Sequence, residues 1–143
     1  MSYEERGQWV YIVVNVLTFG AYAAIVFGQV GRVPLTDIDY VPTMLWAIGV
    51  AIALSIVGRI LMEITGEIGS PGDSHQADVR DRDIGRLGES FSGTLLGVGM
   101  VVPFALTLAE FNHFWIANAM YAAFALSALV GAAVKLVAYR RGF

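Results

Sequence analysis

Four long apolar runs govern what this chain can become. Crossing about 30 Å of hydrocarbon takes roughly 20 residues of helix at ~1.5 Å rise each, and runs of that kind cover residues 9–30, 43–65, 91–111 and 114–139. The few charges within them, Arg59, Glu63, Glu110 and Lys135, fall near the run ends. Hydrocarbon offers backbone amides no water, so each run must satisfy its own hydrogen bonds as a helix. The expected fold is therefore all-α: a polytopic membrane protein, a four-transmembrane-helix up-down bundle that occupies residues 1–143 as one domain. Composition agrees, since 57% of residues are hydrophobic and 15% charged, against about 45–50% and 25% in ordinary globular chains.

The same composition removes whole function classes. The sequence contains no cysteine, and with it go disulfides, thiolate nucleophiles, zinc fingers and iron–sulfur clusters. Nine Lys and Arg against twelve Asp and Glu leave a net charge of −3, which gives no basic footprint for direct nucleic-acid binding. Ala21, Tyr22 and Ala23 look like a signal-peptidase site. Against cleavage, Glu4 and Glu5 cancel the positive charge a signal peptide needs, and the apolar run continues through Phe27. Ser2 and Glu5 fit a capping box that would start a helix ahead of the first span.

Threading follows from the basic residues. Arg6, Arg59, Arg80, Arg82, Arg86, Lys135, Arg140 and Arg141 would share one side and Arg32 alone the other, so the positive-inside rule puts both termini and the 66–89 segment in the cytoplasm of a cell membrane. Tyr40, Trp46, Phe114 and Trp115 fit an outer aromatic belt, and Trp9, Tyr11 and Tyr139 an inner one.

The 66–89 segment is the only soluble stretch of any size. A turn over Gly66, Gly69, Ser70, Pro71 and Gly72 gives way from Ala77 to a helix-compatible run in which Asp78, Arg80, Asp81, Arg82, Asp83 and Arg86 alternate in sign. Helical spacing would pair Asp78 with Arg82, Arg80 with Asp83 and Asp83 with Arg86, and would bring Val79, Ile84, Leu87 and Phe91 toward one side. Six acids against three arginines over residues 66–89 do not make an anionic-lipid anchor, which takes about four to eight clustered basic residues. His75, Asp78 and Asp81 recur at three-residue intervals, a spacing compatible with a divalent metal but equally with a solvated helix laced by ion pairs. No metal, cofactor or catalytic residue is assigned, and His113 reads as an interfacial residue.

Small residues mark the packing faces. Gly20, Ala24 and Gly28 recur every fourth position in the first run, and Ala119, Ala123, Ser127 and Gly131 do so in the fourth. Gly93 and Gly97 begin a third row. Such rows let helix backbones approach within one chain or across a homo-oligomer seam. Pro103 lacks the amide hydrogen that would reach the carbonyl of Gly99, so a bend is expected there. AIALSIVG at 51–58 and AFALSALVG at 123–131 suggest a duplicated hairpin.

Buried charge is scarce. Arg59, Glu63 and Lys135 would share one depth as an inner-rim network or, alternatively, gate an ion path; Asn15, Thr18, Ser55, Asn118 and Ser127 are the polar groups at mid-depth. The DVRDRDI, FWIANAMYAAF and KLVAYRRG runs, within residues 78–142, resemble an uncharacterised family of small four-helix membrane proteins of bacteria and archaea. That resemblance implies no known activity and, in some members, proximity to small helix-turn-helix regulators. Three functions follow as expectations. First is a non-enzymatic interaction or regulatory protein that works in the lipid bilayer and meets a cytoplasmic protein partner through residues 66–89. Second is a small transporter or channel with a polar path through Asn15, Asn118 and Arg59. Third is a metal-dependent lipid-modifying enzyme using Asp78 and Asp81.

Overall fold

Each apolar run folds as the helix its length requires, and the computed structural model describes residues 3–69 and 79–141, with side chains except those of residues 3, 4, 62, 63, 65–69 and 80. Helix α1 spans Tyr3–Phe27, α2 Tyr40–Gly69, α3 Val79–Gly99, α4 Val101–Leu108 and α5 His113–Arg141. With α3 and α4 running as one span, four helices are long and apolar enough to cross a membrane, with mean hydropathy of 1.8 to 2.1. The chain is an all-α up-and-down four-helix bundle, and no strand interrupts it among the described residues.

Helix ends fall where the backbone chemistry allows. Gly31, at φ +84°, turns the chain after α1, a left-handed conformation that glycine adopts without steric cost. Pro34 then leads into a short 3₁₀ turn at Leu35–Asp37, and Pro42 sits in the first turn of α2, where a missing amide hydrogen costs nothing. Beyond α4, Glu110 takes φ 53°, with the Phe111 amide donating to the Leu106 carbonyl at 3.0 Å and the Glu110 amide to Thr107 at 3.1 Å. These two bonds form a Schellman stop built on a non-glycine residue. Asn112 caps α5, its Oδ1 accepting from the Phe114 amide at 2.9 Å. A one-residue turn at Met100 divides α3 from α4 three residues before Pro103, which is itself buried.

Two expectations shift here. Gly66–Gly69, expected in a turn, belong to α2, while the helix expected from Ala77 is seen from Val79 as the start of α3. Ile84 alone of its apolar set turns inward, at 3% exposure, while Val79, Leu87 and Phe91 stay exposed.

The helices are not equivalent. Helix α5 packs on α3, α4 and α1, and α1 also holds α2; accordingly a third of the α5 apolar window is buried against none of α2's. Helices α2 and α3 flank this inner pair with scarcely a contact between them. Leu17, Leu45, Trp46, Val98, Phe104 and Leu108 point outward, the arrangement expected where lipid is the solvent and close packing, not apolar burial, drives association.

At the end carrying the α1–α2 and α4–α5 connections, Tyr22, Val26, Ile38 and Phe114 form the core. Phe114 is fully buried, with its ring 5.2 Å from Tyr40, 6.1 Å from Phe27 and 5.1 Å from Trp115. The Tyr22 hydroxyl donates to Asn118 Oδ1 at 2.7 Å, and Asn118 Nδ2 donates to the Phe114 carbonyl at 2.8 Å. The amide is thus satisfied on both sides, as a buried polar group must be.

Along the α3–α5 crossing a Cβ added to Gly131 would lie 2.8 Å from the Ser92 Cβ and 3.1 Å from the Gly88 carbonyl. One added to Gly88 would collide with the Lys135 stem, and one on Gly99 would sit 3.1 Å from the Ala123 Cβ. The row used on α3 is therefore Gly88, Ser92 and Gly99. Gly93 and Gly97, the row suggested by spacing, face open space. Position 84 reveals the choice: Ile84 is the one apolar side chain between residues 80 and 86, and it lies one turn before Gly88 on the inward face.

Candidate functional site

The other end of the bundle, where both described chain ends lie beside the facing ends of α2 and α3, is open. A cavity of about 430 Å³ lies there, with all four spans contributing to its walls. Gln8 and Tyr11 come from α1, Ser55 and Arg59 from α2, Glu89 and Ser92 from α3, and Lys135 from α5. Glycines make the space and fix its walls. Gly58 seats α2 on Val10 of α1, where an added Cβ would approach the Val10 Cγ1 to 2.8 Å, and Gly88 and Gly131 draw α3 onto α5.

Arg59 and Lys135, expected at one depth, thus share one cleft. Glu89 supplies the carboxylate: its Oε1 lies 4.0 Å from Lys135 Nζ, with the Lys135 side chain 23% exposed and that of Glu89 78% exposed. A pair this long and this wet contributes little. Among the described residues no carboxylate pairs with Arg59; the Glu63 side chain lies outside those described. Glu89 escaped the sequence reading because its place opposite Lys135 depends on which face α3 turns to α5.

The charged start of α3 is held rather than loose. Ile84 and Gly88 are buried, while Arg82, Asp83, Arg86 and Glu89 are exposed and Asp81 is half-buried. Asp83 and Arg86 form no ion pair, as solvated side chains three apart gain only tenths of a kcal/mol, roughly, from meeting. His75 and Asp78 fall outside the described residues, as do Ser2 and the side chain of Arg80. Among the described residues no group of three or more His, Asp and Glu comes together. At the same end of the bundle, Arg140 Nε donates to Glu5 Oε1 at 3.1 Å, and its guanidinium lies 5.6 Å from the centre of the Trp9 ring.

The small-residue rows divide. Ala123, Ser127 and Gly131 are buried and Ala119 is half-buried, with Ala123 and Gly131 against α3. Gly20, Ala24 and Gly28 are exposed, and an added Cβ on Gly20 meets nothing. Three of the mid-depth polar groups bond back to their own helix. Asn15 Nδ2 donates to the Tyr11 carbonyl at 2.9 Å, Thr18 Oγ1 to Val14 at 2.8 Å and Ser127 Oγ to Phe124 at 2.9 Å. Asn118 is closed in by its bonds to Tyr22 and Phe114.

Above the cleft, a second cavity of about 550 Å³ runs between α1, α2 and α5. Its walls are almost wholly apolar, with Phe19, Met44, Ile48, Ile52 and Phe124 prominent, and Ala128 lines both cavities. No family model, curated protein or solved structure matches the chain.

Proposed function

We propose that this chain is a cell-membrane protein that acts by binding rather than by chemistry, with both termini and the charged start of α3 on the cytoplasmic side, and that this start of α3 is the face it presents to a protein partner. The observation that carries the reading is the anchoring of that face. Ile84 and Gly88 fix α3 on α5, so Arg82, Asp83, Arg86 and Glu89 stand exposed in one rigid register. A preorganised charged surface loses little entropy on docking and sets partner choice through charge complementarity. The resemblance of residues 78–142 to small prokaryotic four-helix membrane proteins fits this reading without adding an activity. The outward row Gly20, Ala24 and Gly28 leaves room for a homo-oligomer within it.

Two experiments test the proposal. Cysteines at Thr36 and at Arg82, both exposed, should react with an impermeant maleimide from opposite faces of the membrane, Arg82 from the cytoplasm; reaction of Thr36 from the cytoplasm overturns the threading. A photo-reactive group at the exposed Arg86 should cross-link one defined protein in cells. Reversal of Asp81 and Asp83 to Lys in that protein should abolish the cross-link while the melting temperature stays within a few degrees, because solvent-accessible charges contribute only ~0–1 kcal/mol each. Cross-links to lipid alone, or a protein adduct indifferent to the reversal, reject the surface.

A further inference from the structure

The geometry points to a bound anionic phospholipid, its phosphate held by Arg59 and Lys135 in the cleft and one acyl chain lying in the adjoining apolar groove. This goes beyond the protein-docking face of α3 and rests chiefly on Arg59 and Lys135, which that face does not use.

The two cavities make one amphipathic trough. Helices α1, α2 and α5 line both, and Ala128 stands at their junction. Among the described residues, the polar end presents a guanidinium with no carboxylate partner, an ammonium whose one carboxylate neighbour is distant and exposed, and the neutral donors Gln8, Tyr11, Ser55 and Ser92. A phosphate is the group that suits this set, since a planar guanidinium can bind two of its oxygens at once and an ammonium a third. Gly88 has a part in this. Its missing Cβ lets the Lys135 stem lie against α3, which sets the ammonium at the cleft wall.

Beyond Ala128 the donors thin to Asn15 and the Tyr121 hydroxyl. The single amide in the groove, Asn15, turns its Nδ2 back to the Tyr11 carbonyl, which leaves a surface fit for hydrocarbon. From Ser55 to Met44 helix α2 rises about 16 Å at ~1.5 Å per residue. Because Ser55 and Ala128 stand near mid-depth, a tail in the groove runs from the bilayer centre toward the face opposite its phosphate. Free phosphate would leave the groove empty, and a neutral lipid would leave Arg59 without an anion among the described groups of the cleft.

The purified full chain in a mild neutral detergent tests this by native mass spectrometry with added 1-palmitoyl-2-oleoyl phosphatidylglycerol or the matched phosphatidylcholine. One phosphatidylglycerol per chain should be retained in preference to phosphatidylcholine. Arg59→Gln should weaken that retention about tenfold or more, the scale of one charge-assisted hydrogen bond lost, with partial recovery in Arg59→Lys. Ile52→Trp, at an exposed position of the groove wall, should weaken it too, and millimolar inorganic phosphate should fail to compete. Circular dichroism melting of each variant separates a lost site from a lost fold, because Arg59 and Ile52 are both exposed. Equal retention of the two lipids, indifference to Arg59→Gln, competition by inorganic phosphate, or a dimer that fills the groove and excludes lipid each overturns the proposal. Loss with Arg59→Gln but not with Ile52→Trp rejects the tail site.

Discussion

Truncating Phe114 to Ala should cost about 3–5 kcal/mol of stability, the range found for removing a fully enclosed aromatic ring. In a membrane helix bundle the loss is one of contact rather than of apolar burial, because lipid is as apolar as the ring. Phe114 is enclosed on every side by protein, and its ring stands edge-on to Tyr40, Phe27 and Trp115. No lipid tail reaches the space it would vacate. Unfolding in mixed micelles, followed by circular dichroism against a denaturing detergent, measures the change. Tyr22→Phe provides the smaller companion effect: it removes the 2.7 Å bond to Asn118 and should cost roughly 0.6–2 kcal/mol, the range for interhelical bonds in membranes. A Phe114→Ala protein as stable as the parent would mean that the aromatic core does not join α1 to α5.

Gly131→Leu should disrupt the α3–α5 contact more than any other single substitution in that seam. Even a first Cβ would press to 3.1 Å on the backbone oxygen of Gly88 and to 2.8 Å on the Ser92 side chain. Backbone cannot rotate away as a long side chain can, so overpacking of about 1–3 kcal/mol for the first carbon grows with each one added. Gly97→Ala should move the other way. Its new methyl meets nothing within 4 Å, and alanine is the better helix residue by ~1 kcal/mol. Opposite signs in the same denaturation assay would identify the row through which α3 meets α5. A destabilised Gly97→Ala beside an unaffected Gly131→Leu would exchange the two faces.

The four spans were legible because run length and lack of charge are one-dimensional signals. The interruption near Pro103 was legible too, since a missing donor is a property of one residue. What the sequence did not disclose depends on choosing among equivalent rows. Between residues 85 and 99, α3 carries small residues on several faces, so four-residue spacing is met by Gly93 and Gly97 as well as by Gly88 and Ser92. Only the buried Ile84 breaks the tie. Glu89 could join Lys135 in the expected charge cluster only once that face was known. Glu110 stops α4 in a conformation usually given to glycine, and Ile38 enters the core from a connection whose neighbours are polar. Neither has a local pattern to announce it. Arg59 and Lys135 were readable as residues at one depth, whereas the cleft that receives them is a product of helix order.

That helix order bears on how the protein is made. The helix at the heart of the bundle, α5, is the last of the four spans to leave the ribosome, and the face of α1 that carries Tyr22 must wait 96 positions for Asn118. Until then α1 has only α2 beside it, and α3 has scarcely any protein neighbour. The growing chain therefore holds one finished hairpin followed by a solitary span, with its polar cleft half-walled. Its architecture is completed in a single late event, the arrival of α5, which pairs with α3 and α4 to make a second hairpin and docks that hairpin on the first. A message cut short before residue 113 would yield a product with its inner faces uncovered. Arrival of α5 closes those faces all at once.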